Sequence, residues 1–290
     1  MKISELLSSG KPTVSFEVFP PKTESGFGSV RRACVEIAGL APDFMSVTYG
    51  AAGGARRYTI DLAGEIQQAQ NLPVLAHFSC VGADEPAVDE MLSKLHANHL
   101  ENVLALRGDL KDGQAPEHFQ HASDLIRYIR EKDENLCIGA ACYPEGHPES
   151  FNKKDDLRHL KEKVEAGCDF LTTQMFFDNE LFYRFLYQIR EMGITIPVCA
   201  GIMPVTNPRQ LERIGGLSGA FLPQKFVSMT DRFKENDAAF RRAGILYASS
   251  QIVDLLSNGI RHIHIYTMNK PDVAAEILKE IQEVLSYEIS

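Results

Sequence analysis

The segment Thr13-Val14-Ser15-Phe16-Glu17-Val18-Phe19, followed by Pro20-Pro21-Lys22, reads as a β-strand cut short by two consecutive prolines. Seven more runs of the same kind follow along the chain: 44–49 (FMSVTY), 74–80 (VLAHFSC), 102–107 (NVLALR), 137–143 (CIGAACY), 170–176 (FLTTQMF), 196–202 (IPVCAGI) and 262–268 (HIHIYTM). Between successive runs lie stretches long enough for a helix, several with apolar residues three and four apart. The clearest comes after the last run. There Val273, Ile277, Ile281, Val284 and Leu285 recur with Lys279, Glu280 and Glu283 between them, the pattern of an amphipathic outer helix. Strand followed by helix, eight times over and with no domain-sized remainder in residues 1–290, predicts an α/β fold: a single-domain (β/α)8 TIM barrel. The near-continuous apolar character of the strands fits a parallel sheet covered on both faces. The competing arrangement is a doubly wound open sheet. It lacks its fingerprint here, because Gly26-Phe27-Gly28 has no third glycine and no Walker-type phosphate loop is present. The longest irregular connections are expected at 110–120 and 215–231, with a long helical region at about 232–258.

Composition narrows the function. Hydrophobic residues at 44% and charged residues at 24% are ordinary for a globular protein with a sizeable core. A net charge of −9, with no long run of Lys and Arg, argues against a nucleic-acid binder and favours small-molecule chemistry. No stretch of about 18 apolar residues suggests a membrane span, and Met1 to Gly10 lacks the organisation of a signal peptide, so a cytoplasmic protein is expected. The six cysteines (Cys34, Cys80, Cys137, Cys142, Cys168, Cys199) form no CxxC pair and read as reduced core residues. His77, Cys80, Cys142 and His147 lie near strand ends but lack compact metal-ligand spacing, so no metal is expected.

In a barrel of this kind chemistry gathers at the C-terminal ends of the strands. The unusual polar residues fall there: Glu17 on the first run, Thr48 and Tyr49 on the second, His77 on the third, Arg107-Gly108-Asp109 on the fourth, Tyr143 and then His147 on the fifth, Gln174 on the sixth, and Tyr266-Thr267 on the eighth. Glu17 either faces solvent, or pairs with a lysine such as Lys22, or is a buried carboxyl whose lost hydration makes it a general acid near neutrality. His77 reads equally as a core histidine, Tyr143 and Tyr266 as packing residues, and Asp109 as a turn cap; Gln174 requires hydrogen-bond partners if buried.

Seven motifs in order resemble the 5,10-methylenetetrahydrofolate reductases, in particular the bacterial single-domain type that carries FAD: SFEVFPPK at 15–22, SVTYGA at 46–51, LRGD at 106–109, YPEGHPES at 143–150, TTQMFFDNE at 172–180, GIMPVTN at 201–207 and HIYTMN at 264–269. The resemblance implies a (β/α)8 barrel with FAD at the strand C-termini. It also implies a ping-pong reaction in which NADH or NADPH reduces FAD and the reduced flavin converts methylenetetrahydrofolate to 5-methyltetrahydrofolate. Carried over by motif, Glu17 is the expected general acid, Asp109 lies near the flavin and the pterin, and Gln174 hydrogen-bonds the pterin. FAD contacts fall on Tyr49, Ala51, His77, Arg107, Gly108, Asp109, Ala122, Tyr143, His147, Ser150, Asp156, His159 and Lys163, with Thr48 beside the nicotinamide and further folate contacts at Gln210 and Lys270. Arg107, His147 and Lys163 suit a pyrophosphate, Asp156 suits ribose hydroxyls, and the tyrosines offer flat packing faces.

The chain departs from the family pattern at four places. Ile214 stands where a stacking aromatic occurs, Lys270 and Glu162 where arginines occur, and His159 where an asparagine occurs. The regulatory domain of larger relatives is not expected, since the sequence ends at residue 290. Two other functions fit the same barrel: a folate-dependent methyltransferase, and a flavin-binding subunit that takes electrons from a protein donor. A Schiff-base enzyme is disfavoured because no lysine lies in any of the eight runs. Small-molecule substrates are the expected partners, and a homo-oligomer through the outer helices is left open.

Overall fold

The computed structural model describes residues 1–21, 23–49, 56–109, 117–217 and 220–289. Among them, eight parallel strands close into a barrel in simple sequence order: β1 (Thr13–Val18), β2 (Phe44–Val47), β3 (Val74–Ser79), β4 (Asn102–Leu106), β5 (Cys137–Cys142), β6 (Phe170–Thr173), β7 (Val198–Ile202) and β8 (His262–Tyr266). Closure is made by β8 against β1, with Thr13 opposite His262 and Glu17 opposite Tyr266. Each strand falls inside the run predicted for it. Most stop one to three residues short of the predicted end, because the chain turns there into the loops of the barrel mouth. At β1 the reason is specific: the Asn269 side chain accepts from the Phe19 N–H (2.8 Å) and donates to the Phe19 carbonyl (3.0 Å), so an amide takes the place of a ladder partner just before the prolines.

The helices are α1 (Ile3–Leu7), α2 (Phe27–Ala38), α3 (Arg56–Gln70), α4 (Glu85–Ala97), α5 (Ala122–Lys132), α6 (Lys153–Glu165), α7 (Asn179–Glu191), α8 (Pro208–Leu217), α9 (Gln224–Phe233), α10 (Asp237–Ser257) and α11 (Pro271–Ile289). The segment expected to be irregular at 215–231 is largely helical. Its helix α9 turns Phe226 into a cluster with Phe177, Val205, Ile214 and Phe240, a packing gain that turn-like residues nearby conceal. In α11, Val273, Ile277 and Ile281 are fully buried and Val284 and Leu285 pack at the edge of the core, as the spacing predicts. No described helix is long and apolar enough to cross a membrane.

Strand alternation divides the core in two. Outward residues such as Phe16, Met45, Ile138 and Ile265 pack against the helices in the main cluster. Inward residues Phe44, Leu75, Leu104, Cys137, Phe170 and Cys199 fill the lower barrel, and Ile3 and Leu7 of α1 plug its floor. Higher in the barrel the inward positions turn polar: Ser15 and Glu17 on β1, Ser46 on β2, His77 on β3, Thr172 on β6 and His264 on β8 are all buried. A buried polar layer costs stability unless its members bond one another or a ligand. All six cysteines are buried and free.

Candidate active site

The mouth of the barrel opens into a cavity of ≈ 540 Å³. Its wall carries Glu17, Thr48, Tyr49, His77, Arg107, Gly108, Asp109, Ala122, Tyr143, His147, Ser150, Asp156, His159, Lys163, Gln174 and Tyr266, so sequence reasoning and topology meet at one place. Ala51 lies outside the described residues, as does Lys22, the solvent-side partner considered for Glu17.

Glu17 is 7% exposed, at the bottom of this cavity. Its backbone is fixed by Thr267, whose hydroxyl donates to the Glu17 carbonyl at 2.6 Å. Around the carboxyl, oxygen Oε2 is 3.4 Å from His264 Nε2, 3.5 Å from the Ser46 hydroxyl and 3.6 Å from His77 Nε2. The last distance is too long for a hydrogen bond. Burial pushes the His77 imidazole down to about 4, against the pull of the Glu17 carboxyl, so His77 is neutral at pH 7. Its Nε2 is buried with no hydrogen-bond partner, and so is Thr172 Oγ1; both residues line the cavity.

The opposite wall carries charges of both signs, Arg107 and Lys163 with Asp109, Glu149, Asp155 and Asp156. Arg107 pairs with Glu149 at 2.7 Å, and Lys163 donates to the Ala141 carbonyl at 2.8 Å while sitting 5.9 Å from the centre of the Tyr143 ring. Burial holds the Lys163 ammonium below its ordinary range. His147 stands edge-on to Tyr143, 4.6 Å between ring centres, and its imidazole is held below the usual range by burial and by Arg107. Burial, then Asp109, pushes the Tyr143 phenol up to about 12. The Ser150 hydroxyl donates to Asp156 (3.3 Å), and His159 lies 5.1 Å from the His121 ring. Helix α5 begins at this wall with Ala122 and Ser123, presenting the partial positive charge of a helix N-terminus.

Local chain geometry explains the Arg107-Gly108-Asp109 turn. Gly108 has φ +89°, and a Cβ there would lie 2.0 Å from Ser79 Oγ, which itself donates to the Arg107 carbonyl at 2.8 Å. Only glycine fits. Gln174 reaches the cavity with its Oε1 accepting from the Met175 N–H (3.0 Å).

Gln210 and Lys270 do not line the cavity. They converge on Thr206 instead: Gln210 Oε1 accepts from the Thr206 N–H (2.7 Å) and Lys270 Nζ donates to the Thr206 hydroxyl (2.9 Å). Ile214, 4% exposed, packs into the apolar cluster beneath α9 and is not on the cavity wall. Sequence reasoning missed Ser46 and His264 beside Glu17, and Thr172 on the cavity wall. The signal was available in the alternation of HIHIY, which puts His262, His264 and Tyr266 on one face of β8. Among the described residues no group of three or more His, Cys, Asp or Glu is arranged to hold a metal ion.

The arrangement offers two buried acids, Glu17 and Asp156, a neutral imidazole and a hydroxyl without partners, and a wall of mixed charge with aromatic faces. Comparison with known proteins points the same way. The methylenetetrahydrofolate reductase family model matches residues 2–282. The 5,10-methylenetetrahydrofolate reductase of Escherichia coli K12 is 32% identical over 269 residues, covering 92% of this chain and 90% of that protein. The probable methylenetetrahydrofolate reductase (NADH) of Oryza sativa subsp. japonica is 32% identical over all of this chain and 51% of its own length. The chain thus spans about half the length of the plant and yeast relatives it matches. Among solved structures, a Clostridium thermocellum protein that binds two copies of 5-methyl-5,6,7,8-tetrahydrofolic acid superposes with a TM-score of 0.69 at 15% identity, covering 99% of this chain and 100% of that one. That likeness is one of fold.

Proposed function

Since the chain belongs to the methylenetetrahydrofolate reductase family, we propose that it reduces 5,10-methylenetetrahydrofolate to 5-methyltetrahydrofolate in the cytoplasm, with FAD bound at the barrel mouth and NADH or NADPH as donor in ping-pong order. The observation that carries this reading is the Glu17 carboxyl buried in a cavity whose wall also carries Arg107, Lys163 and the aromatic rings of Tyr49 and Tyr143. Simple flavin storage needs no acid there, and a zinc-thiolate methyltransferase would need thiols at the mouth, whereas all six cysteines are buried. The NADH in the rice relative's name supports testing that nucleotide first.

The residues fit a flavin dinucleotide. The unpartnered buried atoms His77 Nε2 and Thr172 Oγ1 are groups that a polar heterocycle can satisfy. Arg107, His147, Lys163 and the N-terminus of α5 would hold a pyrophosphate, Asp156 and His159 a ribose, and Tyr49 and Tyr143 would pack against flat rings. Bound FAD supplies the two-electron carrier between donor and folate. Thr48 would border the nicotinamide, while Gln174 would hydrogen-bond the pterin and Asp109 would sit beside both rings. Glu17 would give a proton to the folate amine nitrogen as the five-membered ring opens, leaving the carbon able to accept hydride. Gln210 and Lys270, tied through Thr206 next to the mouth, would meet the more distant part of the folate.

Glu17→Gln tests the assignment. In anaerobic stopped-flow, flavin bleaching by reduced nicotinamide should persist while reoxidation by methylenetetrahydrofolate falls by at least about 100-fold, within the usual range for a lost general acid. Equal loss of both halves would sink the acid role.

A further inference from the structure

Strand β1 cannot run on past Phe19, because Pro20 and Pro21 carry no backbone N–H. Val18 still pairs with the β2 side, its carbonyl accepting from the Thr48 N–H at 3.0 Å. Phe19 has both backbone groups met by one side chain: Asn269 Oδ1 accepts from its N–H at 2.8 Å, and Asn269 Nδ2 donates to its carbonyl at 3.0 Å. A carboxamide offers an acceptor and a donor side by side, as a ladder partner would. Just before it, Thr267 holds Glu17. The Thr267 hydroxyl donates to the Glu17 carbonyl at 2.6 Å and accepts from the Asn269 N–H at 3.3 Å, and the Thr267 N–H reaches the same Glu17 carbonyl at 3.3 Å.

The turn that carries these groups is strained. The Lys270 N–H donates to the Thr267 carbonyl at 3.0 Å, and the two residues between them, Met268 and Asn269, have φ +53° and +54°. Both central residues are left-handed, as in a type I′ turn, a form dominated by Gly, Asn and Asp. Asn269 suits it. Met268 does not, and a bulky residue in that region persists only where the surroundings over-determine it. What this strained turn maintains is the placement of three groups at the mouth. Glu17 and Phe19 line the cavity, and Lys270 leaves the turn to donate to the Thr206 hydroxyl at 2.9 Å. Arg107, His147 and Lys163, which would hold the cofactor's pyrophosphate, stand across the barrel, after β4, after β5 and on α6.

We propose that Thr267 and Asn269 are positioning residues for the folate half of the reaction: the turn they form clamps the end of β1 and sets Glu17 and Phe19 against the substrate. This deepens the proposed reductase reading and rests on it for its consequence. A general acid acts only within hydrogen-bond reach of the atom it protonates, so a shift at the end of β1 carries the Glu17 carboxyl out of line. Reduction of the flavin by nicotinamide draws no proton from Glu17, and the cofactor is held from the other side of the barrel. Loss of the clamp therefore separates the two half-reactions.

Paired variants of the protein loaded with FAD test the assignment. Asn269→Gly accepts the positive φ and deletes both amide bonds, while Asn269→Asp keeps the shape but sets a second acceptor against the Phe19 carbonyl. Thr267→Val removes the hydroxyl at nearly constant shape, and Thr267→Ser keeps it. In anaerobic stopped-flow, reoxidation by methylenetetrahydrofolate should slow about 10- to 100-fold in Asn269→Gly, Asn269→Asp and Thr267→Val, the range for a misplaced catalytic group. Thr267→Ser should recover most of that loss, and bleaching by reduced nicotinamide should stay within about threefold of wild type in all four. Equal slowing of both halves, or full-speed reoxidation in Asn269→Gly, would refute the positioning role. Amide exchange reads the clamp apart from any activity. In protein carrying ¹⁵N-phenylalanine, the Phe19 N–H, assigned by its disappearance in Phe19→Leu, should exchange slowly in wild type and rapidly in Asn269→Gly. Rapid exchange in wild type, or equal protection in the variant, would overturn the clamp. Should Asn269→Gly not fold, the Thr267 pair and the wild-type exchange still decide. If the folate does not reoxidise the wild-type protein at all, the reductase reading fails, while the exchange measurement independently tests the clamp.

Discussion

Gly108→Ala strikes at the turn that presents Arg107 and Asp109 to the cavity. Two costs add. At φ +89° an L-residue is strained, at about 1–2 kcal/mol. The new Cβ would also lie 2.0 Å from Ser79 Oγ and 3.2 Å from Ser79 Cβ, so the hydroxyl must rotate away and give up its 2.8 Å bond to the Arg107 carbonyl, about 0.5–1.5 kcal/mol more. The sum is about 1.5–3.5 kcal/mol. Ser79→Ala removes the hydroxyl in advance and leaves only the looser 3.2 Å approach to its Cβ, so adding Gly108→Ala on that background should cost little beyond the backbone part, about 1–2 kcal/mol. Equilibrium urea unfolding followed by circular dichroism and by tyrosine fluorescence reads both numbers, with coincident transitions as the condition for using them. A Gly108→Ala protein within about 0.5 kcal/mol of wild type would refute the strain argument. A Gly108→Ala cost unchanged on the Ser79→Ala background would refute the clash.

Two further predictions concern the cavity walls. His77 titrates near 4 in the folded protein against an ordinary 6.5, so the unfolded chain binds the extra proton between those values. Stability should therefore rise with pH through that window and be lost as pH falls from about 6.5 to about 4, by about 3 kcal/mol at about 1.4 kcal/mol per pH unit. Urea midpoints across pH should show this slope reduced in His77→Gln, and an unchanged slope would place the acid sensitivity elsewhere. Lys163→Met removes the buried ammonium beside Tyr143 and should weaken FAD affinity about 10- to 100-fold, read by titrating apoprotein with the flavin; unchanged affinity would make Lys163 a structural residue.

The barrel was legible because the alternation of strand and helix repeats eight times and each β-run is bounded by turn residues. What the runs could not reveal was where ladders give way to side chains, as Asn269 does at Phe19, or that α9 is made helical by Phe226 packing inward. Most of the candidate site was legible too, because polar residues at strand ends in a barrel share one rim. Gln210 and Lys270 were assigned by motif alone and lie one step back, on Thr206, a separation that only the third dimension shows. The position of Ile214 in an apolar cluster likewise depends on how α8 lies against Phe177 and Phe240. His264 escaped notice because a histidine in an apolar strand reads as core; its meaning comes from Ser15 and Glu17, both on β1 and far away in sequence.

The most direct measurement is anaerobic stopped-flow absorbance of the purified protein loaded with FAD, mixed first with NADH or NADPH and then with methylenetetrahydrofolate. Rapid bleaching by one nucleotide, followed by return of the flavin band with the folate and formation of 5-methyltetrahydrofolate, is the predicted result. A flavin that neither nucleotide reduces, or that stays reduced when the folate is added, would contradict the proposed reaction.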